Sequence, residues 1–214
     1  MNIHEPQGRT VQRIDYGGLL AKANPQLALD RAEYLFHPGM LFESGEKWWG
    51  DLGRRHAPHE GIDLCIYRSG SGGIHPLPPE TAVPVFAPGR ILAVIDDFLG
   101  RTVFVQHEIL QEPSRPFLSI YAHIIPLPDI EAGLALDTGQ IIGRIGSSPR
   151  LPSGMLPHLH LSVGLLAPDL DPALLSWPRL NKREGIHLLD PLASIDLAYC
   201  IDRIEAENVL IAKS

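Results

Sequence analysis

From Ile62 onward the sequence is a train of short β-rich runs cut by glycine and proline, and this feature limits the fold more than any other. The runs are IDLCIY (62–67), AVPVFA (82–87), GRILAVIDD (89–97), RTVFVQHE (101–108), FLSIYAHI (117–124), QIIGRIG (140–146) and HLHLSVGLL (158–166). Each has the length, branched side chains and partial alternation of a strand, and turn residues bound it. Glycine and proline, 20 of each in 214 residues, exceed average usage and supply the turns. Spacing and alternation predict antiparallel sheets folded on one another, a mostly β protein with short flanking helices.

The flanks read differently. Residues 1–55 form an N-terminal accessory segment, partly helical, in which Asn24 as N-cap and Pro25 in the first turn predict one helix running through QLALDRAEYLF. Trp48 and Trp49 follow in a loop-rich approach, to pack in a core or line a groove. The β domain spans 56–195 and carries an irregular insertion or flap at about 167–189. Residues 196–214 are a tail expected to end in a helix. There is no internal repeat.

Several function classes drop out. A formal charge of -7 and the lack of a basic stripe argue against nucleic acid or anionic surfaces as partners. No apolar run approaches the roughly twenty residues of a membrane span. Cys65 and Cys200 make neither a disulfide framework nor a paired metal motif. The first residues, MNIHEPQGRTVQRIDYGG, lack the basic-then-apolar pattern of a secretory signal. Taken literally this places the chain in the cytoplasm; a chain trimmed of its leader would look the same and work outside it.

The chemistry gathers around histidine. In PHEGIDLCIY, His59 and Asp63 stand four apart around Gly61 at the mouth of an apolar run. A helix would put them on one face, but the proline, the glycine and the β-rich run oppose a helix. On a straight strand they would be roughly 13 Å apart, too far for one ion. The pair has meaning only if the chain bends at Gly61. His158 and His160 lie two apart in a strand pattern, hence on one face and roughly 7 Å apart. A third element, Tyr121-Ala122-His123-Ile124, ends another strand.

Taken in order, HEGID (59–63), PVFAPGRIL (84–92), YAHI (121–124), TGQIIGRIG (138–146) and HLHLSV (158–163) resemble the motifs of the lysostaphin-like zinc endopeptidases. The resemblance covers roughly 56–166 and extends loosely to Asp190-Pro191-Leu192. It implies the antiparallel sandwich or half-open barrel of that family. It also implies one Zn2+ ion held by His59, Asp63 and His160, with His123 and His158 as catalytic histidines that do not bind the metal. The implied reaction is hydrolysis of a peptide bond by a zinc-activated water, and the implied substrate is the peptide part of bacterial cell wall.

The chain also departs from the pattern. A long loop, RSGSGGIHPLPPETAV, follows the first strand and carries His75, expected to be solvated. His107 is expected to be structural or rim-forming, not a ligand. Leu161-Ser162 replaces the family's usual aromatic and glutamate, which leaves open what supports the outer nitrogen of His160. One alternative is a family member without catalysis that serves as a binding or regulatory module. A swinging-arm carrier, suggested by the sheet-like segments, is opposed by the lysines: Lys22, Lys47, Lys182 and Lys213 all lie outside them.

Overall fold

The computed structural model describes residues 13–112, 115–146 and 155–203. Its strands are β1 (Ile14–Asp15), β2 (Glu33–Phe36), β3 (Ile62–Leu64), β4 (Ile66–Arg68), β5 (Ile74–Pro76), β6 (Ala82–Pro84), β7 (Gly89–Asp96) and β8 (Arg101–Glu112). They continue as β9 (Arg115–Pro126), β10 (Ala135–Leu136), β11 (Ile141–Ile145), β12 (Leu159–Leu166), β13 (Ile186–Leu189), β14 (Ile195–Asp196) and β15 (Tyr199–Ile201). Four short helices flank them: α1 (Tyr16–Ala23), α2 (Pro25–Leu29), α3 (Trp177–Asn181) and α4 (Pro191–Ser194). The chain is mostly β, as its sequence predicts.

Among the described residues the main sheet has nine strands and does not close into a barrel. Its spine runs β10-β7-β8-β9-β11-β6, and β12 attaches to β9, β3 and β13. All of its pairings are antiparallel. The flanking pairs β1–β14 and β15–β2 are parallel, a departure from the expected antiparallel order. They tie the beginning of the chain to its end.

The core explains why the pieces hold together. Ile62, Val83, Phe86, Tyr121, Ile142 and Leu161 are fully buried and belong to one apolar cluster. Tyr16, Leu27, Phe36, Met40 and Trp48 from the first fifty residues join the same cluster. Burying a large apolar side chain is worth about 1.5–3 kcal/mol, so this packing secures the N-terminal segment to the sheet. A second, smaller cluster joins Phe104, Leu118 and Ile120 to Leu180, Ile186 and Leu188. That cluster seats the 167–189 insertion, which ends in β13 paired to β12.

Two local expectations are corrected. The helix expected through QLALDRAEYLF stops at Leu29; Arg31 takes a left-handed conformation, φ 49°, and Glu33–Phe36 becomes β2. The reason is tertiary: β2 finds partners on both sides, β4 and β15, and ladder bonds plus burial outweigh local propensity. Asn24 sits at the N-cap without a capping bond, its side chain instead bridging Leu20 and Ala82. In the tail, β15 occupies Tyr199–Ile201, and the helix expected at its end falls on residues 204–214, which lie outside the described residues. The loop around His75 contains a strand, β5, with His75 half-buried beside Tyr67.

His107 is structural and not on a rim. It is fully buried, its Nδ1–H donates to the Pro88 carbonyl (2.9 Å), and its Nε2 accepts from Ser119 Oγ (2.7 Å). Burial is the main cause that lowers its pKa below the usual 6.5, against smaller opposing effects from the Pro88 and Ala87 carbonyls. The unfolded chain therefore takes up this proton first as pH falls, so the His107 contribution is complete above about pH 6.5 and declines below it. Urea unfolding between pH 7 and 5 should show this loss, and His107→Gln should flatten the slope.

Candidate metal centre

Asp63 lies in β3, His160 in β12, and the two are direct cross-strand partners. Opposed residues have Cβ atoms about 4.5–5.5 Å apart, which brings imidazole and carboxylate together without strain. His59 precedes β3 in the irregular run 57–61, so its side chain folds back over Asp63: Nε2 is 3.1 Å from Asp63 Oδ1. The bend expected at Gly61 exists, but the glycine serves a different purpose. Gly61 is absent from the described glycines with positive φ. A Cβ there would lie 2.1 Å from the Leu161 carbonyl oxygen and 2.7 Å from Ser162 Oγ. The residue has to be glycine because β3 enters the sheet directly against the β12 backbone.

The three donor atoms form a small triangle. His59 Nε2 is 3.1 Å from His160 Nδ1, and His160 Nδ1 is 2.9 Å from Asp63 Oδ1. Each outer atom is already committed. His59 Nδ1–H donates to the Leu41 carbonyl (3.0 Å). His160 Nε2 is 2.8 Å from Ser162 Oγ, so Ser162 supplies the partner that the sequence left open. Asp63 Oδ2 accepts from Trp48 Nε1–H (2.6 Å) and Arg55 Nη2 (3.4 Å). With Nδ1 of His59 and Nε2 of His160 acting as donors, the inner nitrogens present lone pairs, and so does Asp63 Oδ1. Three buried lone pairs within 3.1 Å of one another repel unless a cation stands between them.

The donor set fits such a cation. A tetrahedral ion at about 2.1 Å from each ligand separates its ligands by about 3.4 Å, slightly more than the edges of this triangle. Glu60 offers another carboxylate oxygen, all three donors of His59, Glu60 and His160 falling within 4.8 Å. Asp63 is much nearer to both rings and is held from behind, whereas Glu60 is only half-buried. Burial is the largest influence on the Asp63 pKa and pushes it up. The neighbouring imidazoles outweigh it whenever they carry protons, and the carboxyl is then held well below its usual range.

The other two histidines stand beside this triangle. His158, one residue before β12, donates Nδ1–H to the Leu156 carbonyl (2.8 Å) and places Nε2 3.8 Å from Asp63 Oδ1. Burial, partly opposed by Asp63, takes its pKa down to about 3, so it is neutral and Nε2 is a proton acceptor. His123 sits at a bulge in β9, where Arg101 pairs with Ile124 and Val103 with Tyr121, and has φ 63°. Asp97 holds that irregular backbone and its ring together: Oδ2 accepts from His123 N (3.0 Å) and Oδ1 faces Nδ1 (3.1 Å). Asp97 is itself fixed by Leu99 N, Gly100 N and Thr102 Oγ1. Its pKa is pushed up most by burial, yet the His123 ring and the backbone N–H groups overcome this and keep it ionised.

All five histidine and aspartate positions singled out in the sequence thus line one groove of about 350 Å3. Residues not singled out complete it. Trp177, from the insertion, stacks on His123 (6.0 Å, 7° between planes) and donates Nε1–H to Thr102 Oγ1. In the orientation that satisfies its neighbours, Asn181 donates to the Trp177 carbonyl and to Glu60. Phe98 and Trp49 line the groove as well. Of these the sequence flagged only Trp49. Asp97 had one weak signal, an aspartate at the start of the turn before Leu99-Gly100.

The Asp97 network makes a prediction. If His123 acts as an acid–base group, Asp97→Ala should lower turnover by on the order of 10²-fold, the typical cost of misplacing such a group. Zinc affinity should not change, because the partners of Asp97 include none of the triangle residues. Turnover and metal titration of the same preparation check both halves.

No protein-family model matches the chain, and no curated protein is significantly similar to it. Solved structures are similar. Lysostaphin matches at 17% identity over 81% of this chain and 56% of its own, with a TM-score of 0.44. A zinc-containing peptidase from Vibrio cholerae matches at 21% identity over 62% of this chain and 37% of its own, TM-score 0.40. A mutant catalytic domain of the prophage-encoded M23 protein EnpA from Enterococcus faecalis matches at 21% identity over 66% of this chain and 95% of its own, TM-score 0.37. The chain therefore spans little more than half of lysostaphin and about a third of the Vibrio peptidase, and nearly all of the EnpA domain.

Proposed function

We propose that the chain is a zinc-dependent endopeptidase of the lysostaphin-like type that hydrolyses bonds in peptidoglycan peptides or cross-bridges. The observation that carries this reading is the triangle of His59 Nε2, Asp63 Oδ1 and His160 Nδ1, three lone pairs within 3.1 Å, flanked by two histidines outside the triangle. The five sequence motifs, in their order, supply the substrate class.

In this reading His59, Asp63 and His160 hold the ion, and zinc when bound supplies Lewis acidity toward water and the scissile carbonyl. The remaining work belongs to the chain. His158, with Nδ1–H fixed on Leu156, offers the Nε2 lone pair and takes the proton of the attacking water. His123, its ring held at Nδ1 by Asp97, is the group placed to donate a hydrogen bond to the developing oxyanion. Trp177 and Phe98 pack against His123 and restrict its rotation.

Protein purified without chelators should contain about one zinc per chain. Incubated with glycine-bridged and D-amino-acid-containing wall peptides, it should release new amino termini detectable by mass spectrometry. Protein that binds no zinc even after titration would overturn the reading. A chain that binds zinc and wall peptides but cuts none would favour the non-catalytic module.

A further inference from the structure

The carboxylate of Asp63 has two oxygens, and a site of the kind proposed above uses only one of them. We propose that Trp48 is a positioning residue that fixes the orientation of this carboxylate, and that the loop around it is a working part of the metal centre. This inference rests on the zinc site as read here.

The geometry is specific. Trp48 Nε1–H donates to Asp63 Oδ2 at 2.6 Å, and both residues are buried. Turning the carboxylate out of this orientation would tear a buried donor from its acceptor. Oδ1 is thereby left pointing at the two ring nitrogens. Trp48 also meets the ring of His158 edge-on, centroids 5.3 Å apart at 87°. One indole therefore touches a candidate ligand and a candidate proton acceptor.

Trp48 is itself held. Lys47 N donates to the Gly53 carbonyl (2.8 Å), Arg55 N to the Gly45 carbonyl (2.9 Å), and Glu46 bridges to Arg54. Arg55 lies over the Trp49 ring at 4.4 Å and bonds the Gly39 and Glu46 carbonyls, so its second contact to Asp63 Oδ2 comes from a fixed guanidinium. The Leu41 carbonyl, from the same part of the chain, receives Nδ1–H of His59. Two of the three triangle residues thus take their outer hydrogen bonds from Leu41, Trp48 and Arg55. A segment that reads as an accessory in the sequence supplies the groups that orient ligands, and such groups typically tune metal affinity 10- to 100-fold.

The test uses the full chain and Zn2+ alone, in competition with a chromogenic chelator. Trp48→Phe keeps an apolar ring and removes the N–H; its zinc affinity should fall 10- to 100-fold. Leu52→Ala, an exposed position on the same loop, should bind like the unaltered chain. Equal affinity in Trp48→Phe, with binding lost in Asp63→Ala, would overturn the role of Trp48 and leave the metal site standing. Failure of the unaltered chain to bind zinc would overturn the site and this inference together. Should Trp48→Phe not fold, the indole protons of the unaltered chain answer instead. One should lie well downfield and exchange slowly with solvent, and Asp63→Ala should return it to the ordinary range. Three ordinary indole protons would overturn the proposal.

Discussion

Zinc binding is expected to vanish in His160→Ala, with hydrolysis falling by at least about 10³-fold, while the metal-free protein unfolds at nearly the same temperature as the unaltered one. The loss follows from the donor count. Without His160 Nδ1, only one imidazole and one carboxylate remain of a three-membered set, and catalytic zinc sites ordinarily need three protein ligands. The unchanged metal-free stability follows from the same triangle. In the absence of a cation, the lone pairs of His59, Asp63 and His160 oppose one another at 2.9–3.1 Å, so removing one relieves repulsion as it removes packing. Ligand linkage makes the contrast measurable: zinc at about a thousand times its Kd stabilises a binding-competent protein by about 4 kcal/mol. The unaltered chain should gain several degrees on adding zinc, and His160→Ala should gain none. A scaffold that only binds wall peptides would keep that binding in the variant, which separates the two functional readings.

Among the described glycines, Gly61→Ala should be the most damaging addition of a single methyl group. The added Cβ would sit 2.1 Å from a backbone oxygen of β12, and a strand backbone, unlike a flexible side chain, cannot step aside. Overpacking commonly costs about 1–3 kcal/mol, and a clash with backbone belongs at or above the top of that range. For a chain of this size about 3 kcal/mol corresponds to a fall in Tm of roughly 6–12 °C. The function should suffer more than the stability. Relief of the clash requires β3 to move away from β12, and that pairing is what sets Asp63 opposite His160. Thermal unfolding and zinc titration should therefore both report the change, the titration more strongly. A variant that binds zinc normally would show that the two strands can separate without parting the ligands.

Much of this arrangement is legible in the residues. Alternating β-rich runs bounded by glycine and proline determine a mostly β chain, because strand periodicity and turn chemistry are local. His59, Asp63, His123, His158 and His160 stand out through the ordered motifs that resemble the lysostaphin-like endopeptidases, whereas the spacing of any one pair is a weak signal. Tertiary structure alone decided the rest. Glu33–Phe36 is a strand because β4 and β15 flank it, a fact no window of sequence contains. Ser162 supports His160, and Trp48 holds Asp63 across fifteen positions, through hydrogen bonds that depend on where distant backbones pass. Asp97 reaches His123 only because β9 bulges there. Local pattern names the candidate groups; long-range packing chooses the residues that orient them.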